Sequence, residues 1–113
     1  MRKITIRDII KKHEQWLTDS GGFKAWLRKE DLRNADFSGK CMVDACFIGC
    51  DCRGANFAGA VLCYADFTEA DCRGANFEGA YLRDASFYSA DLVGANFHGA
   101  NLTDVIFAYS KRQ

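Results

Sequence analysis

The sequence contains no proline, no long apolar run and no excess of either charge. Its 113 residues carry 15 basic and 15 acidic side chains, so no global charge attracts it to nucleic acid or to an anionic membrane. No apolar segment approaches the roughly 18 residues of a membrane span, and no secretory pattern is seen at residues 1–10. We therefore expect a soluble cytoplasmic protein of one domain whose six cysteines are reduced.

A heptapeptide, DCRGANF, occurs twice, at residues 51–57 and 71–77, and a shorter beat of five residues underlies it. Alanine occupies most positions divisible by five from 25 to 100, with Glu30, Lys40 and Cys50 as exceptions, and a larger apolar residue follows two positions later. A period of five fits neither the 3.6 of a helix nor the 2.0 of a strand. It fits a short extended side followed by a corner, with the alanine and the larger residue pointing inward.

The corner positions are predicted from residues that tolerate a positive φ. Glycine falls two positions after many of the larger apolar residues, and Asn34, Asp44, Asp84 and Asp104 occupy equivalent positions. An aspartate or asparagine commonly precedes the larger apolar residue, where its side-chain oxygen can accept a hydrogen bond from a turn amide. We therefore interpret these polar columns as structural.

The spacing of 20 between the two heptapeptides indicates four sides in each coil. Residues 20 apart would then stack about 4.8 Å apart, as neighbouring parallel strands do. This arrangement predicts four interior ladders, with aromatic residues facing each other across a narrow core. The ladders are Phe37, Phe57, Phe77 and Phe97; Leu27, Phe47, Phe67, Phe87 and Phe107; Leu32, Cys52, Cys72 and Leu92; and Met42, Leu62, Leu82 and Leu102.

This A-(D/N)-(L/F)-x-x beat, which runs from Ala25 to Tyr109 without a slip, resembles the pentapeptide repeat family. The resemblance covers three quarters of the chain and implies an all-β solenoid, a right-handed quadrilateral parallel β-helix of about four coils. The leader is also similar to one found before such repeats in bacterial and phage proteins, with a KHxxWL helix at residues 12–17 and Gly21-Gly22 after it. Because Glu30 and Lys40 put charges in the small inward column, we expect an irregular first coil with these side chains reaching solvent or the leader.

The leader is predicted to be an α-helix that caps the first coil, because solenoids need their terminal coils covered. Thr5 is its expected N-cap and Gly21 its expected C-cap. Trp16, Phe23 and Trp26 are expected to fill the junction with the first coil. The residues at helical spacing that should face the coil are Ile6, Ile9, Ile10, His13 and Leu17, with His13 as a polar member of this packing face and not a ligand.

We divide the chain into a leader at 1–24, the β-helix at 25–109 and a tail at 110–113. The tail is too short to cap the last coil, and an open coil end invites pairing with another chain. The bulky residues there predict a two-fold dimer through the C-terminal coils. The expected interface residues are Val105, Ile106, Phe107 and Tyr109.

The cysteines are the first candidates for chemistry. The sequence has no CxxC pair of the kind that zinc sites often use. Cys50 fills an alanine position, and Cys52 and Cys72 are expected to be inward neighbours, where buried cysteine behaves as a small hydrophobe. Cys41, Cys46 and Cys63 should point outward. A thiol-based metal or redox site is the alternative to this structural interpretation.

The charged columns and the histidines offer no catalytic constellation. Asp31, Asp51, Asp71 and Asp91 stack beside Arg33, Arg53 and Arg73, which predicts a self-neutralising solvated wall. A flat polar partner is the alternative reading of that wall. Asp44, Asp84 and Asp104 share a corner column that is too exposed and too regular for general acid–base work. Neither His13 nor His98 has an obvious catalytic partner, so we expect no enzyme, no catalytic residue, no cofactor and no metal.

The favoured function is a structural or interaction module that presents outward side-chain columns to a protein partner. No membrane contact and no direct nucleic-acid binding are expected. Some outward positions are not constrained by the repeat and could therefore carry function. They are Trp26, Arg28, Tyr64, Tyr81, Arg83, Tyr88 and His98.

The family resemblance implies an alternative function, since some members are long acidic dimeric rods that resemble B-DNA and modulate DNA gyrase. The repeat region here carries 12 acidic and 7 basic residues, which leans the same way. Four coils would nevertheless make a rod of only about 20 Å.

Overall fold

The computed structural model describes residues 5–112, which form one helix followed by a solenoid. The helix, α1, spans Ile6–Leu17. Thr5 is its N-cap, as predicted: the Thr5 hydroxyl accepts a hydrogen bond from the Asp8 amide at 3.1 Å. The Asp8 carboxylate accepts one from the Thr5 amide at 3.4 Å. This reciprocal capping box satisfies two backbone donors that a helix start leaves without a partner.

The predicted C-cap at Gly21 is wrong, because α1 ends earlier. Thr18 is the C-cap, and Asp19 already has a left-handed φ of 57°. The Ser20 amide then donates to the carbonyl of Gln15 at 2.8 Å, which satisfies one of the last helical carbonyls. Aspartate tolerates this conformation better than most residues, so the helix ends without needing a glycine.

The chain reverses after α1 through Gly21 and Gly22, which have φ values of 86° and 74°. Gly22 passes against the helix: a Cβ added there would collide with the Lys12 carbonyl and would lie 2.7 Å from the Cβ of Gln15. A Cβ on Gly21 would meet nothing within 4 Å. Gly22 therefore permits the close return of the chain, whereas Gly21 supplies only the turn.

The repeat is built from isolated parallel bridges between residues 20 apart, from Trp26↔Cys46 to Asp91↔Lys111. These bridges fall in four columns, so the predicted 20-residue register is confirmed. From Leu27 to Leu92, the amide of each larger inward residue donates to the next coil, as Phe57 does to the Asn76 carbonyl at 2.7 Å. The Asn76 amide donates back to the Ala55 carbonyl at 2.9 Å.

The corners follow the predicted chemistry. Gly54 has a φ of 67°, and Asn34, Asp44 and Asp84 have φ values of 58° to 65° at equivalent positions. Asp104 also has a positive φ. From Ala35 to Ala100, each inward alanine amide closes its turn onto the preceding inward residue, as Ala60 does to the Phe57 carbonyl at 3.0 Å. Several corners have positive φ without glycine, asparagine or aspartate, and the sequence did not indicate them: Lys29, Tyr64, Glu69, Ser89 and Tyr109.

Phenylalanine rings form the centre of the core. Rings in one ladder stack in parallel, as Phe57 and Phe77 do at 5.0 Å and 3°. Rings of the facing ladders meet edge to face, as Phe57 and Phe67 do at 5.4 Å and 89°. Both arrangements suit the ring quadrupole, so every interior phenylalanine contacts aromatic neighbours on two sides. The other two walls are filled by buried side chains, among them Met42, Leu62, Leu82, Cys52 and Cys72.

The last coil departs from the predicted core. Leu102 is 37% exposed, and Phe97 and Phe107 are half-buried, because no further coil covers them. The predicted boundary at residue 109 is also wrong. Lys111 bridges to Asp91, and its carbonyl accepts a hydrogen bond from the Leu92 amide at 2.6 Å.

The first coil is regular, contrary to the expectation from Glu30 and Lys40. Their amides close the usual turns, to the carbonyls of Leu27 and Phe37, both at 3.2 Å. The side chains of Glu30 and Lys40 are both exposed. Within the described residues no coil packs on the N-terminal side of the first coil, so these side chains can turn outward beside α1.

The leader covers only part of the first coil. Ile9, Ile10 and His13 are buried, and Ile6 is half-buried, whereas Leu17 is exposed, contrary to the prediction. The chain turns back directly after α1 and returns beside Lys12, where the Phe23 amide bonds the Lys12 carbonyl at 3.2 Å. The last helical turn therefore has no coil beneath it.

The aromatic residues of the junction also remain exposed and do not fill it. Trp16 is 39% exposed, Phe23 50% and Trp26 62%.

We predict that Gly22→Ala destabilises the protein more than Gly21→Ala. Alanine at either position adopts an unfavourable positive φ, which costs about 1–2 kcal/mol. Only at Gly22 does the new methyl group also force α1 away from the returning chain, an overpacking cost of about 1–3 kcal/mol more. Urea unfolding of both variants measures the difference, and equal losses would contradict the close approach.

Candidate functional site

The outward side chains form four walls of different chemistry. We name them the mixed wall (26–29, 46–49, 66–69, 86–89 and 106–109), the arginine wall (31–34, 51–54, 71–74 and 91–94), the asparagine wall (36–39, 56–59, 76–79 and 96–99) and the tyrosine wall (41–44, 61–64, 81–84 and 101–104). Each wall repeats one bridge column of the β-helix.

The arginine wall is internally paired. Nε and Nη2 of Arg53 donate to the two carboxylate oxygens of Asp51 at 2.8 and 2.6 Å, and Nε lies 3.8 Å from Asp71 in the next coil. The same geometry occurs at Arg33 and Arg73. The hydrogen bonds from Arg53 hold the pKa of Asp51 below its usual value. The charged groups of this wall therefore neutralise one another, as predicted.

The asparagine wall also uses its polar groups internally. The side-chain oxygen of Asn56 accepts a hydrogen bond from the Ala58 amide at 3.0 Å, and that of Asn96 accepts one from the His98 amide at 2.9 Å. Asn76 makes the same contact with the Glu78 amide at 3.0 Å. These are the turn contacts expected from the sequence, and they leave His98 exposed on a wall of otherwise occupied amides.

The tyrosine wall has a different character, because its largest side chains have no role in the turns. Tyr64 is 60% exposed and Tyr81 is 54% exposed. Within residues 5–112 neither phenol has a hydrogen-bond partner. Val61 and Cys63, both half-buried, lie in the same coil as Tyr64, and Val61 bridges to Tyr81. Arg83 Nε lies 3.6 Å from Asp84 at the edge of this wall. This wall is one of two aromatic surfaces of the described β-helix, the other being the mixed wall with Trp26, Tyr88 and Tyr109.

The cysteines divide between the core and the tyrosine wall. Cys50, Cys52 and Cys72 are fully buried, and the Cys50 thiol donates to the Leu27 carbonyl. A hydrogen bond with Cys52, together with burial, raises the pKa of the Cys50 thiol. Cys41 and Cys63 are half-buried on the tyrosine wall.

Cys46, predicted to point outward, lies at a bridge position of the mixed wall but is only 3% exposed. Its backbone bridges to Trp26 in the preceding coil and to Asp66 in the following one. All six thiols are free, and the described part of the chain contains no group of three or more His, Cys, Asp or Glu side chains placed to hold a metal.

His13 is the one buried polar side chain of the described core, and both of its ring nitrogens are bonded. Nδ1 accepts a hydrogen bond from the Ala25 amide at 2.8 Å, and Nε2 lies 2.8 Å from the Val43 carbonyl oxygen. Since Nδ1 must be unprotonated to accept, Nε2 carries the proton and donates to Val43. Burial lowers the pKa of His13 below its usual value.

These two contacts replace hydrogen bonds that a preceding coil would have made. In the repeat, a carbonyl equivalent to that of Val43 accepts from a corner amide of the coil before it, as the Ile48 carbonyl does from Lys29 at 2.9 Å. An amide equivalent to that of Ala25 donates to a carbonyl three residues earlier. His13 supplies both partners at the point where the repeat begins, which joins α1 to the first coil.

Two further surface features lie at the ends. A cavity of about 480 Å³ opens between α1 and the first coil, lined by Ile6, Ile9, Phe23, Trp26 and Leu32 among others. At the other end Tyr109 is 79% exposed and Ile106 49% exposed. The guanidinium of Arg112 lies 4.7 Å from the centre of the Phe107 ring, so the tail, expected to cover nothing, shields part of the last coil.

Parallel bridges in four columns with a 20-residue register define a four-sided parallel β-helix. The chain belongs to the pentapeptide repeat family: the model of the family described as pentapeptide repeats matches eight copies, at residues 41–71 and 70–108. Proteins of this family are generally non-enzymatic structural modules.

Among solved structures, a pentapeptide repeat protein from the cyanobacterium Cyanothece 51142 is 20% identical over 79% of this chain and 81% of that one, with a TM-score of 0.40. Another from Nostoc Pcc 7120 is 24% identical over 88% of this chain and 78% of that one, with a TM-score of 0.43. QnrB1, described as a plasmid-mediated fluoroquinolone resistance protein, is 18% identical over 76% of this chain and 72% of that one, with a TM-score of 0.29. A comparison with curated protein sequences found no match. In residues 5–112, no helix has the length and apolar character needed to cross a membrane.

We predict that native protein reacts with maleimide at Cys41 and Cys63 before any other thiol. These two side chains are half-buried, whereas the other four are buried. Intact mass spectrometry after brief labelling at pH 7 should show two additions, and peptide mapping should place them on the tyrosine wall. Denatured protein, as the control, should take up six. Early labelling of Cys46 would contradict its burial within the mixed wall.

Proposed function

We propose that this protein is a non-enzymatic interaction module, a right-handed four-sided β-helix of about four coils whose tyrosine wall binds a protein partner. The observation that carries this proposal is the exposure of Tyr64 and Tyr81, which have no hydrogen-bond partner within the described chain. Tyrosine is enriched where protein interfaces are buried, because it offers a large rigid surface and one polar group. The arginine and asparagine walls use their polar groups within the coil.

The chemistry of the ionisable groups supports a role in binding over one in catalysis. Both ring nitrogens of His13 hold backbone groups, and Asp51 and Asp71 are fixed by bidentate arginines. The hydrogen bonds from Arg53 and Arg73 hold the pKa values of Asp51 and Asp71 below the usual range, so these carboxylates are weak general bases.

The same pairing argues against the family's DNA-mimicking alternative. A mimic of the phosphate backbone needs uncompensated negative columns. The longest acidic column here has an arginine beside three of its four carboxylates, at 2.6–2.8 Å. The excess of acidic residues in the repeat therefore does not form an anionic stripe on this wall, and we favour the interaction module over a modulator of DNA gyrase.

We further propose that two chains associate through the C-terminal coil, with Val105, Ile106, Phe107 and Tyr109 at the interface. Their side chains are half-buried or exposed. The inward residues of this coil also keep backbone groups available. The amides of Phe97, Leu102 and Phe107 donate to no carbonyl of the described chain, whereas the equivalent amides one coil earlier do. An open coil edge with apolar residues is a surface that a second chain can cover.

The partner proposal predicts that Tyr64→Ser together with Tyr81→Ser weakens capture of a specific protein from a bacterial lysate. Tyrosines at the centre of an interface often contribute about 2 kcal/mol or more, so binding should fall by roughly 30-fold or more. Tyr88→Ser is the matched control, since Tyr88 is also an exposed tyrosine but lies on the mixed wall. Equal capture by all three proteins would rule out the tyrosine wall as the binding surface.

The association proposal predicts a dimer in light scattering across a concentration series, and a monomer for Tyr109→Asp. Tyr64→Asp is the matched control, because both tyrosines are exposed corner residues with φ near 60°. Aspartate is compatible with that backbone, so neither change should unfold the coil. A wild-type monomer at tens of micromolar, or a dimer that both variants retain, would contradict an interface at the C-terminal coil.

A further inference from the structure

One buried histidine makes side-chain hydrogen bonds that join α1 to the first coil. We propose that His13 is a pH-sensitive latch: uptake of a proton at Nδ1 breaks its hydrogen bond with the Ala25 amide and releases the leader from the first coil. His13 is fully buried, and its two hydrogen bonds, both 2.8 Å long, connect the helix to two separate points of the repeat.

The geometry tolerates only the neutral ring. The Ala25 amide points its hydrogen at Nδ1, and Nε2 already carries the proton that is donated to Val43. A protonated ring would place an N–H against the Ala25 N–H, so two donors would face each other without an acceptor. An unsatisfied buried donor is costly, and a buried unpaired charge costs more. A protonated His13 is therefore accommodated only if the ring leaves its site.

The charged groups around His13 come from every element that packs against it. Glu14 lies on α1, Lys24 on the returning segment and Asp44 at a corner of the first coil. Lys24 and Asp44 form an ion pair at 3.5 Å, so each is partly compensated by the other. Glu14 and Asp44 favour the charged ring, whereas Lys24 and burial oppose it, and burial has the largest effect. The net result is a pKa below the usual histidine value.

The direction of the pH effect follows from this lowered pKa. Above the ordinary histidine value of 6.5, His13 is neutral whether α1 is docked or released, so docking does not depend on pH through this group. Below that value the released leader binds a proton that the docked leader does not. Docking therefore weakens as the pH falls from 6.5 toward the folded-state pKa. The ratio of docked to released leader falls by up to about tenfold per pH unit, because one proton is taken up.

The other contacts of the leader are modest enough for this change to matter. Ile6, Ile9 and Ile10 make its apolar contacts with the coil, and the backbone hydrogen bond from Phe23 to Lys12 lies within the leader. A helix of 12 residues is marginal in water once it has left its packing surface, so a released leader also loses helical structure. Its release exposes the apolar end of the first coil, where Leu27 and Leu32 are now buried beside α1.

The test measures the histidine and the leader on the same sample. Protein with ¹⁵N-labelled histidine is titrated from pH 8 to pH 4.5, and the ring-nitrogen shifts report the state of His13. Trp16, whose ring lies 5.4 Å from that of His13, reports docking by fluorescence in a Trp26→Phe background. The proposal predicts the Nε2–H tautomer at pH 8, with the Trp16 change and the His13 titration sharing one midpoint below pH 6.5.

Two variants separate the latch from general acid effects. In His13→Gln, the side-chain amide can bond both backbone groups but does not titrate, so the Trp16 signal of this variant should stay constant between pH 7 and pH 5. His98→Asn removes the exposed histidine and should leave the wild-type transition unchanged. If His13→Gln fails to fold, loss of the far-UV helical signal of α1 at the His13 midpoint in wild-type protein decides the question, since a released 12-residue helix is marginal in water.

Three results would overturn the proposal. The first is a ring that carries its proton on Nδ1 at pH 8. The second is a Trp16 signal that stays flat while His13 titrates. The third is a Trp16 transition that persists in His13→Gln.

Discussion

The structure depends on the stacking of each coil on the one 20 residues earlier. Two features impose this register together: backbone hydrogen bonds such as Phe57 to Asn76, and phenylalanine rings that stack within a ladder and meet edge to face across the core. A shift of one residue would put a polar side chain in the core and would place a corner where the chain needs a bridge. The inward side chains and the backbone of every corner are therefore committed to the fold, and only the outward side chains, including those at corners, can vary with function.

The same constraint explains why the two ends are the least regular parts of the molecule. Inside the repeat, each coil supplies hydrogen-bond partners and apolar cover to its neighbours. At the N-terminal end, His13 and the buried isoleucines of α1 supply what a preceding coil would have given. At the C-terminal end, Lys111 extends the bridges and Arg112 lies over Phe107, but Leu102 and Tyr109 stay exposed. One end is covered by α1, and the other keeps exposed apolar side chains within the described residues.

The repeat could be predicted from the sequence because its rules recur every five residues. Asn34 and Asp84 could be identified as corners, and Asn56 as a turn acceptor, since each occupies a column with many members. Features found at one place only were missed. Asp19 in place of Gly21 at the helix end, the cover over Cys46 and the exposure of Leu17 depend on a single tertiary contact or its absence. The position of His13 on the packing face could be predicted from its helical spacing. Its hydrogen bonds could not, because no sequence pattern shows which backbone groups a lone histidine contacts.

The central claim is that Tyr64 and Tyr81 have no structural task and are available for binding. The most direct test compares the free energy of unfolding of Tyr64→Ser/Tyr81→Ser with that of Phe57→Ala. Substitution of an exposed side chain that makes no structural contact usually changes the free energy of unfolding by no more than about 0.5 kcal/mol, whereas truncating a buried phenylalanine costs about 3–5 kcal/mol. We predict a double tyrosine variant nearly as stable as the wild type and a strongly destabilised Phe57→Ala. A double variant that loses as much stability as Phe57→Ala would show that the tyrosines hold the fold together, and the account of this wall would be wrong.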